Sequence, residues 1–260
     1  MDLPARTPLP ASARLAWWGT SWLRGHAVVD LVLDALIGDD ATHVVAGLAD
    51  VGLGGDGGAE SLVAGLARLR VAGATGFGAA FPAEGDPVGL GGPVGFNDAA
   101  LDVGEAVVVL DAGIGLVPRR VGAVVTWMAY RAERRQLPDV GEADRALRAA
   151  LTQTADALAA LDVARWRPEV ADRMLNLRHR APLTGPAGVP PRCVELAARG
   201  LQAVEIVELA LEDDGGAVSA WEIEQRRTAL RPLERAGRRA LVAATSPEVW
   251  PPPEPDTLDS

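Results

Sequence analysis

The sequence predicts an α/β (or α+β) fold: a small mixed sheet of about four strands with flanking helices, followed by a C-terminal helical region. Three observations predict it. Four short runs rich in Val, Ala and Thr (Thr42 to Ala46, Ala74 to Phe81, Glu105 to Leu110 and Val121 to Tyr130) all lie before Pro138. Segments with apolar residues at helical spacing intervene between them. After Pro138 the chain is dominated by Ala, Leu and Arg at helical spacing. The charge balance shifts as well, from 5 Arg against 13 acids in residues 1–110 to 20 Arg against 18 acids in residues 111–245. The expected organisation is an irregular segment 1–10, an α/β region 11–137, a helical region 138–245 that could pack on the first as one unit, and a disordered acidic Pro-rich tail 246–260.

Taken in order, residues 11–24 read as a short helix with Ser12 as N-cap, broken at Gly25-His26. Ala27 to Ile37 reads as a second helix, ended by Gly38. Thr42 to Ala46 is a β-branched strand. A Gly-rich loop follows, then a helix from Glu60 to Val71 with Leu62, Val63, Leu66 and Leu69 in helical register, then the strand Ala74 to Phe81. Strand, helix, strand in this order implies a right-handed βαβ unit with parallel strands. Asn97 reads as the cap of a short helix from Asp98 to Val103. The runs at Glu105 and Val121 are apolar at successive positions, as central strands are.

Helices are expected near 140–162, 166–178, 191–213 and 219–245, with Ala181 to Pro191 as a Pro/Gly connector. Ser219 and Glu222 form a capping box, and Pro232 should kink or split the last helix. In 191–213, Leu196, Ala203, Val204, Val207 and Leu211 share one face, opposite Glu195, Glu205, Glu208 and Glu212. Ile206 and Leu209 interrupt the polar side. They suit contact within the chain, or with a partner.

Composition excludes several chemistries. All 25 cationic side chains are Arg, which removes the P-loop lysine and Schiff-base catalysis. Arg, Ala, Gly and Pro in abundance suit the coding bias of a high-GC bacterium. Cys193 is the single cysteine, so no intrachain disulfide and no Cys-rich zinc site can form. G-x-S-x-G, H-E-x-x-H and C-x-x-C are absent from the sequence. A net charge of −10 argues against general nucleic-acid binding. No apolar run reaches membrane-spanning length and no leader pattern opens the chain, so a cytoplasmic location without membrane contact is expected.

Four groups of residues are candidate sites. Gly52, Gly54 and Gly57 match G-x-G-x-x-G between a strand and a helix, where backbone N–H groups can approach a phosphate; Asp56 within the loop opposes that. Val88 to Gly92 repeats the Val51 to Gly55 sequence, and Asp86, Gly89, Gly91, Gly92 and Asn97 would face a ligand if both loops left the same sheet edge. Successive turns explain both loops equally well. His26, Asp30 and Asp34, at i, i+4, i+8, could ligate a divalent metal or simply form a solvated face. Trp17, Trp18, Trp22 and Trp250 could form a partner surface, with core packing as the alternative.

Cys193 beside Arg192 reads as a buried inert thiol. No cofactor is expected. The leading expectation is a non-enzymatic cytosolic interaction or regulatory protein that self-associates. The alternative is an enzyme or sensor binding a small anionic ligand or nucleotide at loops 52–58 and 85–97.

Overall fold

The computed structural model describes residues 9–54, 57–133, 135–160, 182–212 and 220–252. The fold is mixed α/β, as expected, but the sheet has six strands rather than about four. They are β1 (Thr42–Ala46), β2 (Glu60–Ser61), β3 (Gly76–Ala80), β4 (Ala106–Leu110), β5 (Ile114–Val121) and β6 (Val124–Arg131), in spatial order β2-β1-β6-β5-β4-β3. Two strands escape the sequence pattern for physical reasons. β2 is two residues long. β5 contains Pro118-Arg119-Arg120, which interrupts its apolar run. Pro118 is tolerated because β4 reaches β5 only over Ile114 to Leu116, so one side of β5 is already open at Pro118.

The expected parallel βαβ unit does not form. β1 pairs in parallel with β6, whereas β3 pairs antiparallel with β4 at the far edge. Three strands separate β1 from β3, and the two run in opposite senses.

Alternation along the strands sorts side chains to two covered faces. Val45, Phe77, Val107, Val109, Leu116, Val125 and Trp127 belong to the main core. That face is covered by α1 (Ala11–Arg14), a π-helical turn (Leu15–Gly19), α2 (Thr20–Leu23), α3 (Val29–Ile37) and α4 (Leu62–Val71). Ser61 caps α4 by accepting the Ala64 N–H. Val108, Val117 and Tyr130 point the other way, onto Phe96, Ala99 and Ala100 of α5 (Val94–Val103). Ser12 is not the N-cap of the first helix; Pro10 occupies that position and supplies no capping side chain.

The open edge of β3 is sealed by side chains and one loop. The Phe77 N–H donates to the Thr20 hydroxyl at 2.9 Å, that hydroxyl donates to the Phe77 carbonyl at 3.1 Å, and the Ala79 N–H donates to the Thr245 carbonyl at 3.2 Å. Unpaired strand edges invite pairing with other chains, so this sealing is a protective feature.

Among the described residues, three long helices follow the sheet: α6 (Val140–Ala160), α7 (Pro191–Glu212) and α8 (Ala220–Ala244). α8 packs on both α6 and α7. Gly200 and Gly237 permit the α7–α8 crossing, since a Cβ on either would stand 3.0 Å from the other's carbonyl oxygen. Pro232 neither splits α8 nor ends it. Buried Leu230 and Leu233 anchor the helix on either side of the missing N–H. In α7, Leu209 is buried and Leu211 exposed, the reverse of the wheel reading. The part of the expected tail that is described is ordered as a 3-10 turn, Pro247–Val249, followed by Trp250 packed against the core. The helix expected at 166–178, the capping residue Ser219 and residues 253–260 lie outside the described residues.

Candidate functional site

Among the described residues, two of the concavities lie against the sheet. The larger, of about 760 Å³, is lined by Arg24, Thr75, Asp111, Glu133, Arg135 and Glu248 among others. Its polar groups largely serve one another. Arg135 Nη1 donates to the carbonyls of Gly78, Ala79 and Gly89 at 3.2, 2.8 and 3.3 Å. Its Nε and Nη2 grip Glu248 at 3.1 Å each, and Nη2 reaches Ser246 Oγ at 3.0 Å. Arg24 lies over the Trp250 ring, and the Thr75 hydroxyl donates to Asp111. This is a structural clamp that ties the chain after β6 to β3, to the 84–97 loop and to the segment after α8.

The smaller pocket, of about 350 Å³, has apolar walls from Ala11, Val103, Pro118 and Val125 and three charged liners, Glu105, Arg119 and Arg120. Gly104, in the left-handed conformation, ends α5 and delivers Glu105 to the base of β4. Glu105 Oε2 accepts the Ser12 N–H at 2.9 Å, supplying the cap that α1 lacks locally. Arg14, two residues on, donates to the Ala35 carbonyl near the end of α3 at 3.1 Å. The Ser12 hydroxyl and Arg14 Nε are buried without a hydrogen-bond partner among the described residues.

Beside this pocket runs a chain of bonds. The Trp127 indole N–H, which can only donate, meets His43 Nδ1 at 3.2 Å. The His43 proton therefore sits on Nε2, which donates to Asp40 at 2.9 Å. Both Arg120 Nη atoms grip the same Asp40 carboxylate.

Five groups with shifted pKa values meet here. The bond from Arg120 holds the Asp40 carboxyl down at about 2 against burial, and His43 adds to it. Asp40 in turn raises Arg120. Burial lowers His43 despite Asp40 and keeps the ring neutral, and burial likewise lowers Arg14. Burial raises the Glu105 carboxyl, opposed by Ser12 and by the charges of Arg14 and Arg120. Perturbed groups beside a pocket mark a candidate site, although structural ion-pair networks shift pKa values in the same way. That criterion selects the smaller pocket over the larger cleft.

Asp40 carries a pH prediction. Its depressed pKa contributes stability above the ordinary carboxylate range, and that stability is lost as pH falls through about 2. Because the partner Arg120 is half exposed, the contribution is about 1 kcal/mol. Urea unfolding should show Asp40→Asn destabilised by that amount at pH 7, with the gap closing toward pH 2. A gap independent of pH would contradict the pairing.

The residues singled out by sequence fall elsewhere. Gly52, Gly54 and Gly57 all have positive φ, between 74° and 87°, so the backbone itself requires glycine at these turns. Arg68 bridges that loop, donating to the Leu53 carbonyl at 3.4 Å and to Glu60 at 2.7 Å. In the other loop Gly89 and Gly92 have positive φ, Gly91 does not, and Asn97 Oδ1 accepts the Gly92 N–H at 3.1 Å. Asp86, 4% exposed, is already held by three guanidinium groups from α8: Arg239 at 2.7 Å, and Arg235 and Arg238 at 3.4 Å each. The two loops leave oppositely directed strands across the sheet and do not form one ligand edge.

His26 precedes the start of α3 and lies against Gly188, while Asp30 and Asp34 are exposed on the helix. Among the described residues no group of three His, Cys, Asp or Glu is placed to hold a metal ion. Trp17 is fully buried and Trp18 and Trp22 are partly buried against the core. The Trp17 and Trp250 indoles both donate to the Ala244 carbonyl at 3.0 Å, and Arg70 lies over Trp22. Cys193 is buried, and burial pushes its thiol up to about 12. The sequence reading missed Asp40, Glu105, Arg119 and Arg120, which only long-range folding brings together, and passed over Trp221, 65% exposed at the start of α8. Among the described residues no helix is long and apolar enough to cross a membrane.

Fold and site together define an α/β sheet protein with a helical C-terminal region and a compact charged pocket at one end of its sheet. Residues 12–143 match the N-terminal domain of the Rv1486c-like proteins, and residues 141–242 match their C-terminal domain. The chain belongs to the Rv1486c-like family. It is 31% identical over 287 aligned positions to "Uncharacterized protein Rv1486c" of Mycobacterium tuberculosis strain ATCC 25618 / H37Rv, covering 92% of this chain and 98% of that relative. "Uncharacterized protein MT1533" of strain CDC 1551 / Oshkosh matches with the same identity and coverage. These names assign no activity. No solved structure matches the chain.

Proposed function

We propose that the protein is a non-enzymatic binding protein that holds a small polar ligand in the pocket of Glu105, Arg119 and Arg120. The observation that carries this reading is that two shifted groups, Glu105 and Arg120, line that pocket and are coupled to three more behind it, Arg14, Asp40 and His43. Binding is preferred to catalysis because the nearby histidine, His43, is buried with both ring nitrogens hydrogen-bonded. The thiol of Cys193 is likewise buried and held protonated. This moves the small-ligand alternative from the glycine loops to the base of β4 and β5. An amide NMR titration with small polar metabolites tests it: shifts should centre on Glu105, Arg119, Arg120 and Val125. Shifts confined to the larger cleft, or to the glycine loops, would contradict it.

A second reading, contact with a partner protein or another copy of the chain, is favoured by a separate observation. Trp221 and Leu211 are exposed on α8 and α7. Trp is enriched at binding hot spots. If this surface mediates self-association, light scattering should report an oligomer that Trp221→Ala weakens by about tenfold or more, a loss of about 1.4 kcal/mol. A wild-type monomer would remove the self-association reading.

A further inference from the structure

We propose, building on the ligand-binding reading, that the pocket takes a zwitterion of amino-acid size, its carboxylate on Arg119 and its ammonium on Glu105. The charges lining the pocket point this way. Arg120 is held by Asp40, and Arg14 lies within reach of the charges of Asp39, Asp40 and Glu105, so the liners left for a ligand are Arg119 and Glu105, one of each sign. A simple anion would meet Glu105 and a simple cation would meet Arg119 in the same partly desolvated pocket, which is costly. A zwitterion meets an opposite charge at each end.

The liners differ in readiness. Arg120 is committed to Asp40 through both Nη atoms. Arg119 is not: its partner Asp102 stands at 3.7 Å and is 70% exposed, so the pair is loose and exchangeable. A planar guanidinium presents two parallel donors to a carboxylate. Glu105 accepts from Ser12 and retains acceptor capacity in a side chain that lines the pocket. A volume of about 350 Å³ lies at the small end of ligand sites, suited to an amino acid and too small for a dinucleotide.

The test is titration calorimetry of the full chain with the twenty L-amino acids, with acetate and ethylammonium as half-ligands. At least one amino acid should bind about tenfold or more tightly than either half-ligand. Arg119→Met and Glu105→Gln should each weaken it by about tenfold or more, the equivalent of at least 1.4 kcal/mol. Glu105→Gln keeps an oxygen that can accept the Ser12 N–H, and circular dichroism with melting checks that both variants fold. Binding by acetate as tight as by any amino acid would overturn the zwitterion and leave the site standing. Binding of an amino acid unchanged in both folded variants would overturn the placement. If no amino acid binds while another polar molecule shifts the pocket amides, the class is wrong; if nothing shifts those amides, the ligand-binding reading fails with it.

Discussion

Arg135→Met should lower the unfolding free energy by about 3–5 kcal/mol, the range seen when one partner of a buried ion pair is removed. Arg135 is buried and joins four separate parts of the chain. Without it, the carbonyls of Gly78, Ala79 and Gly89 lose a charged donor, and Glu248 and Ser246 lose their tie to the sheet. Each buried acceptor left unsatisfied costs about 1–3 kcal/mol before relaxation. Lys cannot substitute, since one ammonium lacks the fork that serves the carbonyls on one side and the carboxylate on the other. Arg135→Lys should therefore recover less than half of the loss. Hydrogen exchange gives a local readout: the Ala79 amide, bonded to the Thr245 carbonyl, should lose protection first as the segment after α8 detaches. A loss under about 1 kcal/mol for Arg135→Met would mean that the clamp holds nothing the packing does not already hold.

Trp17→Ala should cost about 3–5 kcal/mol, the range for truncating a large buried aromatic. Trp17 is wholly buried, and its indole bonds the last carbonyl of α8, so one side chain joins the N-terminal helices to the end of the C-terminal region. Trp17→Phe should cost about 1–2 kcal/mol, because the cavity is smaller and Trp250 still donates to the Ala244 carbonyl. Urea unfolding of the three proteins checks the order. Stability unchanged in Trp17→Ala would return Trp17 to the partner surface that its sequence context also allowed.

The strands that the sequence displays openly, such as Thr42–Ala46, are those whose apolar runs carry no Pro or charge. β5 was hidden because Pro118, Arg119 and Arg120 sit where it passes beyond β4, and those residues line the pocket. What hides the strand also forms one wall of the proposed site. Pairing order was not legible either: β1 meets β6, about 80 residues distant, and no local pattern encodes that meeting. The glycine loops resemble phosphate-binding turns in sequence. Positive φ angles give Gly52, Gly54, Gly57, Gly89 and Gly92 a conformational reason of their own, and Asp86 is already held by arginines of α8. In sequence Glu105 reads as the first residue of a strand, since nothing in its neighbourhood announces that Ser12 will meet it.

Native mass spectrometry of gently purified protein, followed by denaturation and identification of any released small molecule, tests whether the Glu105–Arg119–Arg120 pocket holds a small polar ligand. The wild-type chain should carry a molecule that a folded Glu105→Gln, Arg119→Met double variant lacks. Equal retention by both proteins would place the ligand elsewhere and contradict the assignment.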